Sequence, residues 1–153
     1  MMNEQIRDEA SSNLAAGIEA MIPKSLDDII RKNRELVQLR LANDSDIAKL
    51  EVEILETHPL YVLDNWNLIA FDVQGVTAVR LIGDVRNGNE PRITSHIVAI
   101  DIERQLLKTN SGNLYQMGSR NEGEPDTDQL YLICAYMHQM GIGHELGVPH
   151  FFY

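Results

Sequence analysis

The hydrophobic periodicity of the chain changes at Pro59, and this change limits the possible folds more than any other feature. Before Pro59, apolar residues recur every three or four positions, which is the period of an amphipathic helix. After it, short β-branched and aromatic runs alternate with turns rich in Gly, Asn and Asp, which is typical of strands. The sequence therefore predicts an α+β fold in one compact domain. We expect a helical region over 1–58, then an antiparallel β-sheet with a C-terminal helix and an aromatic tail over 59–153.

Three helices are predicted in the N-terminal region. The first ends at Pro23, the second begins with Ser25 as its N-cap, and the third follows the break at 43–45. Their apolar stripes are Ile6, Ala10, Leu14, Ile18 and Met21, then Leu26, Ile29, Ile30, Leu36, Val37 and Leu41, and finally Ile47, Leu50, Ile54 and Leu55.

Five short strands and one more helix are predicted after Pro59. The Asn-Gly pair at 87–88 is a strong turn signal, and strands at this spacing favour an antiparallel meander or a small barrel. Asp126 or Thr127 caps the last helix, and Gly141 closes it. The predicted strands are 67–73, 76–82, 93–100, 105–109 and 113–117.

The charge balance restricts the class of partner. The 153 residues include 13 Lys and Arg against 23 Asp and Glu, which gives a formal net charge of −10. Nucleic-acid binding depends on Lys and Arg at phosphates, so we expect no direct contact with nucleic acid. The first residues lack the apolar core of a signal peptide, and no apolar run approaches the roughly 18 residues of a membrane span. With Cys134 as the single cysteine, we expect a cytoplasmic protein of a bacterial host cell.

Acidic residues concentrate in two short segments, and these segments have two interpretations. An acidic surface steers basic partners toward it, and a nucleic-acid-binding protein is the natural basic partner. In the other interpretation, the charges only keep the protein soluble. The residues predicted to bind a partner are Asp46, Glu51, Glu53 and Glu56 around Lys49, and then Glu122, Glu124, Asp126 and Asp128.

The last predicted helix and the residues after it carry an apolar and aromatic patch. Interfaces are enriched in aromatic residues and Met, whereas free tails are usually polar. We therefore expect this patch to dock either into the core of the protein or across a homodimer interface. Its members are Tyr131, Tyr136, Met137, Met140, Phe151, Phe152 and Tyr153.

Four residues near the end of the sequence form a candidate zinc-ligand set. Cys134 and His138 have i, i+4 spacing on the predicted helix, and His144 and His150 follow them. His144-Glu145 opens a zincin-like motif, but Val148 stands where that motif needs its second histidine. We expect a non-enzymatic protein with no catalytic residues, no cofactor and no bound metal. The alternative is a small metal-dependent enzyme that uses Cys134, His138, His144 and His150.

Residues 92–118 of the strand region include the stretches Arg92-Ile93-Thr94-Ser95, Lys108-Thr109, Ser111-Gly112 and Met117-Gly118. With these stretches, the segment resembles a block in small uncharacterised proteins of proteobacteria, their phages and plasmids. The overall profile, small and acidic without a catalytic motif, is similar to that of anti-CRISPR proteins. This likeness implies an inhibitor that binds a Cas effector or its nuclease–helicase and blocks it sterically. The alternative is a structural or accessory phage protein without an inhibitory role.

Overall fold

The computed structural model describes residues 2–88 and 90–150, and it has an α+β fold built on one mixed sheet. Its elements are α1 (Met2–Met21), a 3₁₀ helix (Leu26–Asp28), β1 (Val37–Leu41), α2 (Asp44–Ala48), β2 (Tyr61–Val73), β3 (Val76–Val85), β4 (Pro91–Ile93), β5 (Ile97–Asp101), β6 (Leu106–Thr109), β7 (Leu114–Met117) and α3 (Thr127–Gln139). The predicted fold class is confirmed, with seven strands in the described sheet where about five were expected. None of the described helices is long and apolar enough to cross a bilayer.

The long strand β2 organises the sheet. β3 pairs with β2 along one edge, while β1 and β7 share the other edge. The strand order is β4-β3-β2-β7-β6-β5, with β1 beside the C-terminal half of β2. Each of these pairs is antiparallel except β2–β7, in which Tyr61 lies opposite Tyr115 in a parallel register.

Both faces of the sheet are buried, which explains the continuous apolar run in β2. Ile69 and Phe71 face a core shared with α3, β1 and the 3₁₀ helix. Leu68 and Ala70 face a second core, which the sheet forms by curling so that β5, β6 and β7 contribute to it. α3 therefore lies on one face of the sheet, and its N-terminus is close to the start of β2.

The second predicted helix is wrong. Residues 37–41 form β1, which pairs with β2 from Val37 opposite Val73 to Leu41 opposite Ile69. Val37 and Leu39 are buried while Gln38 is exposed, so burial in this segment follows the two-residue period of a strand and not the period of a helix. Of the predicted helix, only the 3₁₀ turn at Leu26–Asp28 is helical.

The third predicted helix is wrong beyond its first turn. α2 ends at Ala48, and the chain then extends along β5. The Val52 backbone N–H donates to Ile100 O at 2.9 Å, and the Ile100 N–H donates to Leu50 O at 2.8 Å. These hydrogen bonds satisfy the backbone as strand pairing does, so tertiary contacts override the helical spacing.

The predicted strand 93–100 is divided into β4 and β5. Thr94 interrupts it, because its buried hydroxyl accepts a hydrogen bond from the Leu81 N–H at 3.1 Å and donates to Ser95 O at 2.8 Å. Local side-chain hydrogen bonds of this kind compete with the strand ladder. The result places β4 alone at the edge of the sheet, next to α3.

Candidate protein-binding surface

Asp46, the first residue of the first acidic segment, serves the fold. Its carboxylate accepts the Asn43 backbone N–H while Asn43 Oδ1 accepts the Asp46 N–H, which is a complete capping box for α2. Arg40 lies between two carboxylates, with Nη1 2.6 Å from Asp46 Oδ2 and Nε 2.7 Å from Asp72 Oδ2. Hydrogen bonds from Arg40 hold the pKa of Asp46 below its usual range. Asp46 is buried and has its partners within the chain, so we leave it out of the candidate surface.

The other acidic residues of this segment lie on an extended strip of chain instead of a helix face. Glu53 Oε1 is 3.5 Å from Arg104 Nη2, and Glu56 Oε1 is 2.6 Å from Lys108 Nζ. Each of these two charges is thus compensated by a cation from the β5–β6 hairpin. Glu51 is exposed and forms a parallel bridge with Ile100 through its backbone. The first segment therefore presents less free negative charge than its sequence indicates.

The second acidic segment keeps its negative charge at the surface. We call Glu122, Glu124, Asp126 and Asp128 the acidic loop, and all four side chains are exposed. Glu122 and Asp128 form no ion pair within the described ranges 2–88 and 90–150. Asp126 is the N-cap of α3, with Oδ1 accepting the Gln129 N–H at 3.0 Å. The carboxylates also lie near the helix N-terminus, where negative charge is stabilised.

Amide side chains tie the acidic loop to β2. Asn67 Nδ2 donates to Gly123 O at 2.7 Å, and Asn65 Nδ2 donates to Asp126 Oδ2 at 3.0 Å. Gln129 is fully buried, and its Nε2 donates to Asn65 O at 3.0 Å and to Asp84 Oδ1 at 3.1 Å. These bonds fix the loop on the rigid sheet, so its charges are held in place before any partner arrives.

The residues that hold the loop are not among those predicted from the sequence. Gln129 has i, i+4 and i+8 spacing with Ile133 and Met137, so a polar side chain interrupts the apolar stripe of α3. Asn67 likewise is the first residue of the predicted apolar strand 67–73, and it lies in the middle of β2. A polar residue at a core position marks a buried hydrogen-bonding group, and this signal was available in the sequence.

The structure separates the members of the predicted aromatic patch. Met137 is fully buried in the core between α3 and the sheet, whereas Met140 is exposed at the end of α3. Tyr136 is half-buried, with its ring 6.2 Å from that of Phe71 and 4.7 Å from the Arg80 guanidinium carbon. Tyr131 and Tyr136 line a groove of about 760 Å³ between α3 and β4. The other three predicted members, Phe151, Phe152 and Tyr153, lie outside the described residues.

The candidate zinc ligands do not converge in the structure. Cys134 is completely buried in the apolar core, and burial raises the pKa of its thiol to about 12. His138 Nε2 donates to Val148 O at 2.9 Å, and its ring stacks on His150 with 4.3 Å between centroids. His144 is exposed. In the described part of the chain, no three His, Cys, Asp or Glu side chains are grouped to hold a metal.

Comparison with protein-family models, curated proteins and solved structures finds no match to this chain. The surface of the protein is therefore what indicates a function. Two of its features suit the binding of a partner, namely the acidic loop and the groove beside it, and Asp128 belongs to both.

Proposed function

We propose that this protein is a non-enzymatic inhibitor that binds a basic nucleic-acid-binding protein through its acidic loop. The observation that carries the proposal is that Glu122 and Asp128 form no ion pair among the described residues. Glu122 lies on the loop and Asp128 in the first turn of α3, and the buried amides of Asn67 and Gln129 fix both segments. Such fixed charges attract Lys and Arg without a cost for ordering the loop. A DNA-binding groove is the kind of surface that carries many such cations.

In this proposal, the protein inhibits its target by covering the DNA-binding groove of that target. A protein bound over the cations that contact phosphates excludes DNA from them, and no chemical step is needed. The similarity of profile to anti-CRISPR proteins makes a Cas effector, or its nuclease–helicase, the proposed target in a bacterial host cell. The alternative is an accessory phage protein whose acidity only maintains solubility. In that case, removal of charges from the acidic loop should have the same effect as removal of charges elsewhere.

The test compares two double variants with the same change in net charge. Glu122→Gln with Asp128→Asn removes two charges from the acidic loop, and Glu35→Gln with Glu103→Gln removes two exposed charges that belong to neither acidic segment. Each protein is titrated against a panel of purified Cas effectors and nuclease–helicases, with binding and protection of target DNA from cleavage as readouts. We expect the loop variant to bind about five- to tenfold more weakly, with a smaller difference at high salt.

The control variant should bind within about twofold of the parent protein, as expected for charges outside an interface. An equal loss in both variants would show that bulk charge, and not the acidic loop, drives association. Absence of binding to every member of the panel would exclude the proposed class of target.

A further inference from the structure

The groove between α3 and β4 is large enough to hold side chains of a partner. Its volume of about 760 Å³ lies within the usual range of ligand pockets. α3 rises about 1.5 Å per residue, so the groove spans about 16 Å from Asp128 to Gln139. An extended peptide advances about 3.3 Å per residue, so about five residues fit along this length.

The walls of the groove are apolar and already packed. Ile93 of β4 forms one side, and Leu132 and Tyr136 of α3 form the other. Behind these, Phe71 and Arg80 support the Tyr136 ring from the sheet side, as described above. A wall that is in place before binding loses little side-chain entropy on binding, which favours its use as a docking surface.

The charge at the groove selects the chemistry of the occupant. Asp128 is the one carboxylate among its described lining residues, and no Lys or Arg lines it. Asp128 also belongs to the acidic loop, so the negative surface continues directly from the end of the groove. An apolar side chain would therefore enter the groove while a neighbouring cation meets Asp128 and the loop.

We infer that this groove binds a short peptide segment of the partner in which a bulky apolar or aromatic residue lies next to Lys or Arg. The inference rests on the proposed function, because it specifies how the basic partner is recognised. The segment supplies the apolar contacts that surface charges alone do not give. Charge attracts the partner, and the groove then sets which basic protein stays bound.

The experiment measures peptide binding directly, without any effector, so its outcome is independent of the test in the preceding subsection. The probes are three acetylated pentapeptide amides with the sequences Arg-Phe-Leu-Arg-Lys, Glu-Phe-Leu-Glu-Glu and Arg-Ser-Ser-Arg-Lys. Binding is followed by amide chemical shifts of the ¹⁵N-labelled protein. We expect only the first peptide to give saturable shifts, and we expect them at residues of α3 and β4.

Two variants localise the binding. Ala135→Trp places a large ring in the groove from α3, and it should weaken binding of the first peptide at least tenfold. Met140→Trp adds the same ring at an exposed position that does not line the groove, and it should leave binding unchanged. Asp128→Asn should weaken binding about threefold, as expected for one exposed charge.

Each other result overturns the inference in a specific way. Equal binding of the acidic peptide excludes selection for a basic segment, and unchanged binding in Ala135→Trp excludes this groove. If the first peptide binds only after residues 151–153 are removed, the occupant is the chain's own aromatic segment. If the protein is a dimer by light scattering and Ala135→Trp makes it a monomer, the occupant is a second copy. Absence of binding of the first peptide in both the parent protein and the shortened chain also overturns the inference.

Discussion

The ring of His138 packs against the backbone of Gly143, and this close approach has a measurable consequence. A Cβ at Gly143 would lie inside contact distance of the imidazole, so Gly143→Ala must displace the ring and its hydrogen bond to Val148 O. We expect a loss of about 1–3 kcal/mol in the free energy of unfolding, typical of overpacking combined with a lost hydrogen bond. Urea unfolding followed by circular dichroism measures it.

Gly17→Ala is the matched control for this change. A Cβ at Gly17 meets nothing within 4 Å, and alanine is the better helix former. This variant should unfold at the same urea concentration as the parent protein or slightly above it. A similar loss in both variants would mean that the tight contact at Gly143 is not the cause.

Individual residues show what the sequence could and could not predict about the site. The spacing of Asn43 and Asp46 is that of a capping box, so the local role of Asp46 was readable from the sequence. Its ion pair with Arg40 could not be predicted from the sequence, because that contact depends on β1 pairing with β2. The exposure of Glu122 followed from its polar loop and that of Asp128 from the first turn of α3, whereas Asn65 and Asn67, which help to fix the loop, come from distant β2.

Among the elements, α1 is set apart by its exposure. Leu14, Ile18 and Met21 are 66%, 55% and 40% exposed, so the described part of its apolar stripe does not pack on the sheet. A hydrogen bond of 2.8 Å from Arg31 Nη1 to Ala20 O joins its last turn to the rest of the fold. Most of the stability of a helix in a protein comes from packing of its apolar face, which favours association of this face with another surface. The predicted homodimer is one such association.

We expect removal of residues 2–20 to leave the sheet and α3 intact. The melting temperature should change by less than about 3 °C, because few contacts of the core are lost. Helical ellipticity should fall, and near-ultraviolet dichroism from Trp66 should stay the same. A decrease of about 10 °C or more would show that α1 packs on the fold. Light scattering on both proteins separately tests whether α1 mediates the predicted dimer.

Pairing with the sheet overrides helical spacing in two segments of the chain. Residues 25–41 and 45–57 have apolar positions that fit a helix, yet both segments supply backbone partners to the sheet. Val37–Leu41 and Val52 are placed by β2 and β5, whose positions in space no local pattern specifies. α3 was predicted correctly, because its apolar stripe packs on the sheet as one helix face and Asp126 caps it, whereas the Ser25 side chain makes no cap hydrogen bond at the second predicted helix.

The molecule as a whole is held by carboxylates that join distant parts of the chain. Asp64 of β2 binds Arg86 through two bonds of 2.8 Å and accepts the Ser119 N–H at 2.9 Å. Arg86 and the Ser119 N–H hold the pKa of Asp64 well below its usual range. Hydrogen bonds from Arg40 lower the pKa of Asp72, and the Ile54 N–H lowers that of Asp101. Because the pKa values of these carboxyl groups are lower in the folded protein, the free energy of unfolding depends on pH.

We expect the free energy of unfolding to fall as the pH drops below about 5. Carboxylates with a depressed folded pKa stabilise the protein fully above their unfolded pKa of about 3.9, and this stabilisation is lost as the pH falls toward the folded value. Protonation also relieves the repulsion of a net charge of −10, which acts in the opposite direction. Salt at about 0.15 M screens that diffuse repulsion more than it screens hydrogen-bonded pairs, so the loss should dominate.

Asp64→Asn identifies the contribution of one of these carboxylates. The variant retains a side-chain oxygen for the Ser119 N–H but has no charge for Arg86, so its unfolding free energy should depend less steeply on pH between about 5 and 2. Asp27→Asn, at an exposed ion pair with Arg34, is the matched control. Urea unfolding at each pH in 0.15 M salt measures the slopes. If both variants change the slope equally, general charge and not the Asp64–Arg86 connection governs the acid sensitivity of the fold.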